Sequence, residues 1–100
     1  KKSGINTADK NFFLGDGMTG SCLVLTTPDA ERTMNTSLGV SSNYSVKNIN
    51  FDDLKLSRYL YIEGYLVTSD IAVDAIKKSI SFCKENDVKI SLTFSDLSMV

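Results

Sequence analysis

The feature that most constrains the fold is the order of apolar patterns over residues 58–94: a strand-like run, an amphipathic helical run, then a second strand-like run. Residues 59–62 (YLYI) are nearly continuously apolar and β-prone, which fits a strand covered on both faces. Thr68 or Ser69 can cap a helix that runs to about Asn86. Within it Ala72, Ile76, Ile80 and Cys83 recur at three- and four-residue steps, and Val73 and Ala75 widen the stripe. Lys77, Lys78, Lys84 and Glu85 fall on the solvated side, and Asp74 can pair with Lys78 one turn later. Asn86 and Asp87 end the helix, and residues 88–94 (VKISLTF) read as the next strand. This order predicts a right-handed βαβ unit with parallel strands, hence an α/β fold. Two strands and one helix cannot cover both faces of such a sheet. The missing strands and helix layer are expected from residues outside this chain or from another chain.

The first half carries a different pattern. Residues 5–17 are irregular, with Gly, Asn and Asp punctuating a short FFL segment at 12–14. Residues 15–20 (GDGMTG) are glycine-rich but match no dinucleotide or Walker phosphate loop, and they read as the flexible entry to a β-hairpin. Residues 21–27 (SCLVLTT) are β-rich, Pro28 suits the second position of a turn and Asp29 the third. Residues 32–38 return as a strand, giving a hairpin with a loop of three or four residues. Alternation places Arg32, Met34 and Thr36 on one face and Thr33, Asn35 and Ser37 on the other. Gly39 closes the strand, residues 40–50 read as a polar connector, and Asn50 can cap a short helix over 51–56 with Asp52 and Asp53 in its first turn.

Composition narrows the function classes. One hundred residues bound the chain to one domain or a piece of one. With 11 basic and 12 acidic residues, a net charge of −1 and no basic cluster, neither nucleic acid nor an anionic membrane is an expected partner. The absence of histidine removes His-based triads and most zinc chemistry. Cys22 and Cys83 each sit in an apolar pattern without metal-ligand spacing and read as buried free thiols. No apolar run reaches 18 residues and no secretory leader is evident, so the cytoplasm is the expected location and the glycosylation-type triplet at Asn43 carries little weight. The chain starts at Lys1 without an initiator Met and stops just after an apolar run. Both ends read as cuts through a longer protein.

Glu63 is the first candidate site residue. Ligands of open parallel sheets bind outside the carboxyl ends of the strands. Glu63 follows the 59–62 strand, where a carboxylate can accept hydrogen bonds from substrate hydroxyls. A loop carboxylate that caps or forms a salt bridge is the competing structural reading. Ser95 and Asp96 hold the same topological position after the next strand, with Asp96 read first as a turn residue. Met34 can press on an apolar substrate face or simply pack the hairpin. Asn35 and Thr36 can meet polar ligand groups, and Arg32 reads as a solvated hairpin arginine. The tyrosines at 59, 61 and 65 read as packing residues, since a sheet that stacks RNA bases would bring basic residues with them.

Residues 19–25 (TGSCLVL), 27–36 (TPDAERTMNT), Leu38-Gly39 and 59–65 (YLYIEGY) closely resemble the ribokinase-like (PfkB-type) carbohydrate and nucleoside kinases, above all bacterial adenosine-kinase-like sugar kinases. The resemblance runs from Gly4 to Asp96, and its most specific block is residues 27–36. It implies a fragment of a doubly wound α/β sheet domain carrying a small β lid hairpin. Residues 1–38 would belong to the lid and residues 39–100 to the α/β substrate and nucleotide domain. The lid would cover a sugar or nucleoside and support a homodimer. Glu63 matches the position that faces the sugar, and Met34 and Asn35 match the returning lid strand near the substrate mouth. The implied reaction is ATP-dependent phosphorylation of a hydroxyl, with Mg²⁺ and a catalytic Asp beside a glycine-rich anion hole. The Gly-Ala-Gly-Asp signature of that centre is absent, as is the early Gly-Gly sugar-binding motif. ATP and Mg²⁺ are therefore expected mainly outside this segment, in the remainder of the parent polypeptide, and the chain alone is not expected to catalyse. Ala30 stands where relatives often carry Gly, which favours a turn without positive φ there. The alternative reading is a non-catalytic dimerisation or binding module built on the same hairpin and βαβ unit, in which the hairpin pairs edge to edge with another chain.

Overall fold

A computed structural model describes residues 4–5 and 16–95. Strands β1 (Ser21–Thr26) and β2 (Arg32–Ser37) form an antiparallel pair, in register from Ser21 opposite Ser37 to Thr26 opposite Arg32. The turn between them has three residues, within the expected three or four. The Thr27 N–H donates to the Glu31 carbonyl at 3.0 Å and the Ala30 N–H to the Thr27 carbonyl at 2.9 Å, which leaves Pro28, Asp29 and Ala30 as the loop. Ala30, however, has φ +65°, against the expectation from its side chain. The reason is geometric: a three-residue hairpin loop needs a left-handed residue after its first turn to return the chain to the twist of the strands. Asp29 braces the loop by accepting from the Thr27 hydroxyl and from the Glu31 N–H at 3.4 Å. These two hydrogen bonds, that from Thr27 first, hold its carboxyl below the ordinary value of 3.8.

Both faces of the hairpin are exposed, because two strands alone bring no covering layer. Cys22 is accordingly exposed rather than buried, and its Sγ accepts from the Thr36 hydroxyl at 3.2 Å. The residues expected to form a plain connector instead form two 3₁₀ turns, Gly39–Asn43 and Val46–Asn48. Gly39, at φ +53°, starts the first of them. A Cβ there would strike the Met18 carbonyl oxygen, which accepts from the Val40 N–H at 2.9 Å. The connector is tied to the second half where the Ser69 hydroxyl donates to the Ser42 carbonyl at 3.2 Å.

The second half follows the expected order. Helix α1 (Phe51–Lys55) is capped by Asn50, whose side chain accepts from the Asp53 N–H. Strand β3 (Tyr59–Glu63), a 3₁₀ turn (Gly64–Thr68), helix α2 (Asp70–Glu85) and strand β4 (Lys89–Thr93) come next, and β3 and β4 pair in parallel. The buried side of α2 is Ala72, Ala75, Ser79 and Cys83, while Ile76 and Ile80 are only half-buried. Small residues lie innermost because they let the helix sit close, and Ser79 satisfies its hydroxyl on the Ala75 carbonyl at 2.9 Å. Leu54, Cys83 and Val88 form the core, with Ile49, Phe51, Leu60 and Phe82 packed around them and the Phe51 and Phe82 rings 4.9 Å apart. Asp74 and Lys78 pair at 3.3 Å, as their spacing predicts.

Strand β3 is not covered on both faces. Ile62 is buried, but Tyr59 and Tyr61 on the other face are each 59% exposed. Among the described residues only one helix layer meets this sheet, so its second face has nothing to pack against. No helix among them is long and apolar enough to cross a membrane.

Candidate functional site

The carboxyl ends of β3 and β4 lie side by side because the strands are parallel, and they carry a cluster of polar side chains. Glu63 is the last residue of β3 rather than the first beyond it, and it pairs in register with Thr93. The Ser95 hydroxyl donates to Glu63 Oε2 at 2.9 Å, and the Ser95 N–H donates to Thr93 Oγ1 at 3.2 Å. Tyr61, two residues before Glu63, lies on the same face by strand alternation. The Glu63 carboxylate beside it, as a hydrogen-bond acceptor first and then with desolvation and its charge, pushes the Tyr61 phenol above its ordinary value of 10.0.

Gly64 allows this crowding. A Cβ there would lie 2.5 Å from the Phe94 carbonyl oxygen and 2.8 Å from that of Thr93, so only glycine lets the chain leaving β4 pass so close to the end of β3. Ser95 then turns at φ +63°, a region that side chains other than Gly, Asn and Asp rarely take. The outcome is an exposed carboxylate flanked by hydroxyl groups. Chemically it is an acceptor site: it suits a ligand that offers O–H or N–H donors and repels an anion at the same point.

Met34 and Asn35 sit on β2, opposite Val24 and Leu23 respectively, and alternation sends them to opposite faces of the hairpin. Both are exposed, Met34 by 57%. Among the described residues no hydrogen bond or ion pair joins either of them to Glu63. The structure thus unites Glu63, Thr93, Ser95 and Tyr61 and leaves the two hairpin residues apart from that cluster. Thr93 and Tyr61 carry signals that sequence reasoning overlooked: the i, i+2 spacing from Tyr61 to Glu63, and the parallel register that brings Thr93 opposite. Asp96 lies outside the described residues, as does the 12–14 segment.

Elsewhere a hollow of about 330 Å³ is lined by Val40, Ser41, Tyr44, Asn48 and Leu66, where burial pushes the Tyr44 phenol up; it shares no residue with the Glu63 cluster. Among the described residues no group of three or more Cys, Asp and Glu side chains is placed to hold a metal ion.

No family model matches the chain, and no curated protein does. Solved structures do. The adenosine kinase from Sinorhizobium meliloti superposes with a TM-score of 0.75 at 30% identity, over 82% of this chain and 25% of that one. A probable sugar kinase protein from Rhizobium etli superposes with a TM-score of 0.74 at 28% identity, over 81% of this chain and 24% of that one. The chain therefore spans about a quarter of the length of each. Among the described residues the second face of the β3–β4 sheet stays uncovered, with Tyr59 and Tyr61 exposed. With such identity maintained over most of its length, this small α/β chain is homologous to part of the ribokinase-like (PfkB-type) sugar and nucleoside kinases.

Proposed function

We propose that this chain supplies the lid and the substrate-side carboxylate of an ATP-dependent kinase that phosphorylates a hydroxyl of a sugar or nucleoside. The observation that carries the reading is Glu63, an exposed and hydrogen-bonded carboxylate at the carboxyl ends of two parallel strands in a chain homologous to such kinases. Glu63 accepts a substrate hydroxyl and so fixes the orientation of the sugar. Residues 1–38 act as the lid and residues 39–100 as part of the α/β domain. Met34 offers a polarizable thioether and Asn35 an amide to the substrate from the lid strand. ATP, Mg²⁺ and the catalytic Asp belong to the rest of the parent polypeptide, which works in the cytoplasm. Nothing in the described residues performs the phosphoryl transfer itself.

The test is Glu63→Gln in the full-length protein, assayed for ATP turnover against a panel of sugars and nucleosides. Loss of a charge-assisted hydrogen bond is worth about 1.5–3 kcal/mol, or roughly 10- to 100-fold in affinity. KM for the phosphate acceptor should rise by that factor while KM for ATP stays nearly constant. Equal effects on both substrates refute the role of Glu63, and a wild-type protein that turns over no member of the panel refutes the kinase.

One observation favours a second reading. The hairpin exposes Leu23 by 63% and Leu25 by 58% side by side on a single face, an apolar pair that a partner chain would cover. A second copy meeting the lid would cover it. A dimer that Leu23→Lys dissociates, in a protein without turnover, would establish the binding module in place of the kinase.

A further inference from the structure

We infer that Ser95 is a positioning residue: the left-handed turn after β4 aims its hydroxyl at Glu63 and holds the carboxylate ready for a donor group of the ligand. The inference rests on the substrate-side role proposed for Glu63.

Three observations meet at this residue. Ser95 has φ +63°, a conformation for which glycine would be the unstrained choice, yet the position carries a hydroxyl. Its N–H is held by Thr93 Oγ1 at 3.2 Å, and Thr93 is the register partner of Glu63, so the turn is tethered to the very rung it serves. Its Oγ then reaches Glu63 Oε2 at 2.9 Å, across 32 positions of sequence. A Cβ at Gly64 would collide with the Phe94 carbonyl oxygen at 2.5 Å, so the missing side chain beside Glu63 is what permits the approach.

The consequence is preorganisation. A glutamate at the open end of a strand samples several rotamers, and a ligand that orders it loses affinity in doing so. A carboxylate can only accept, so the Ser95 hydroxyl donates to Glu63. Its plane is thereby set before a ligand arrives, with acceptor capacity to spare, since two carboxylate oxygens offer about four lone-pair positions. The ligand class that fits is one presenting hydroxyl or amino donors.

The experiment compares Ser95→Ala with Ser95→Gly in the full-length protein. Alanine removes the hydroxyl and keeps the backbone cost; glycine removes the hydroxyl and relieves that cost. Side-chain NMR couplings follow the rotamer population of Glu63, and steady-state kinetics follow the sugar and nucleoside panel. The expected result is a Glu63 side chain held in one rotamer in the wild type and averaged among several in both variants, since the donor that fixes it is lost. KM for the phosphate acceptor should rise about 3- to 10-fold in both, as for loss of one ordinary hydrogen bond, with KM for ATP unchanged. Failure of glycine to rescue, although it eases the backbone, assigns the effect to the hydroxyl. A Ser95→Gly protein with wild-type KM and a wild-type Glu63 rotamer population overturns the inference, and so does a freed Glu63 side chain with unchanged KM. The kinase reading fails separately, through a wild type without turnover. In that case the Glu63 rotamer population alone decides whether Ser95 holds the carboxylate.

Discussion

Replacing Gly64 by alanine probes the packing on which the Glu63 cluster depends. The added Cβ would sit 2.5 Å from the Phe94 carbonyl oxygen, 2.7 Å from its carbon and 2.8 Å from the Thr93 carbonyl oxygen. All three are backbone atoms at the end of β4, so no rotamer change relieves the contact. Reaching ordinary contact at 3.4 Å requires a retreat of about 0.9 Å at the closest atom, enough to weaken the pairing of Glu63 with Thr93. Overpacking of this kind costs about 1–3 kcal/mol. Against it stands the gain of about 0.4–1 kcal/mol that alanine brings by restricting the unfolded chain. The net expectation is a loss of about 1–2 kcal/mol. Urea unfolding of the full-length variant, followed by circular dichroism, should show a lower midpoint with an unchanged slope. The 2.9 Å contact from Ser95 to Glu63 should weaken with it, visible as faster amide exchange at Thr93 and Ser95. Stability equal to or above that of wild type would refute the reasoning, because it would mean that the end of β4 is free to move away from β3.

Other predictions address the hairpin and the core. Ala30→Gly relieves a positive φ that costs an L-residue about 1–2 kcal/mol and loses about 0.4–1 kcal/mol through the unfolded state; hydrogen exchange across β1 and β2 should slow by about two- to five-fold, and faster exchange would contradict the turn geometry. Asp29 is held below 3.8 by its hydrogen bonds, so its contribution to the hairpin is present above the unfolded pKa and is lost as pH falls through the lower folded value. The Glu31 amide proton shift should therefore titrate with a midpoint below 3.8, and a midpoint at or above that value would remove Asp29 from the brace. Cys22 is exposed, whereas Cys83 is 0% exposed and its thiol is pushed up by burial. A thiol reagent should modify Cys22 in the native protein and reach Cys83 only on unfolding; native labelling of both would contradict a core closed around Cys83.

Much of the local structure was legible in the residues. Pro28 and Asp29 announced the turn, Asn50 the short helix, and the three- and four-residue recurrence over 72–83 the long one, because each signal acts over a few neighbouring positions. The placement of Glu63 at the carboxyl end of a parallel pair followed from the strand–helix–strand order. Less legible was which residues would be innermost. Ala75 and Ser79 took the place expected for Ile76 and Ile80, since close approach of the helix selects small side chains over apolar ones. The exposure of Cys22 was equally hidden: an apolar neighbourhood in sequence is no guarantee of a covering layer in space.

The chain by itself thus determined its elements, their order and its kinship, all of which depend on side-chain periodicity, turn chemistry and motif blocks readable along one dimension. Only the tertiary structure decided that Ala30 takes a left-handed conformation, that Gly64 is required by the backbone of β4, and that Ser95 closes on Glu63. Those facts depend on strand twist and parallel register, which bring together residues 32 positions apart. No local pattern encodes such a contact, because the distance between the two residues is set by the packing of everything between them.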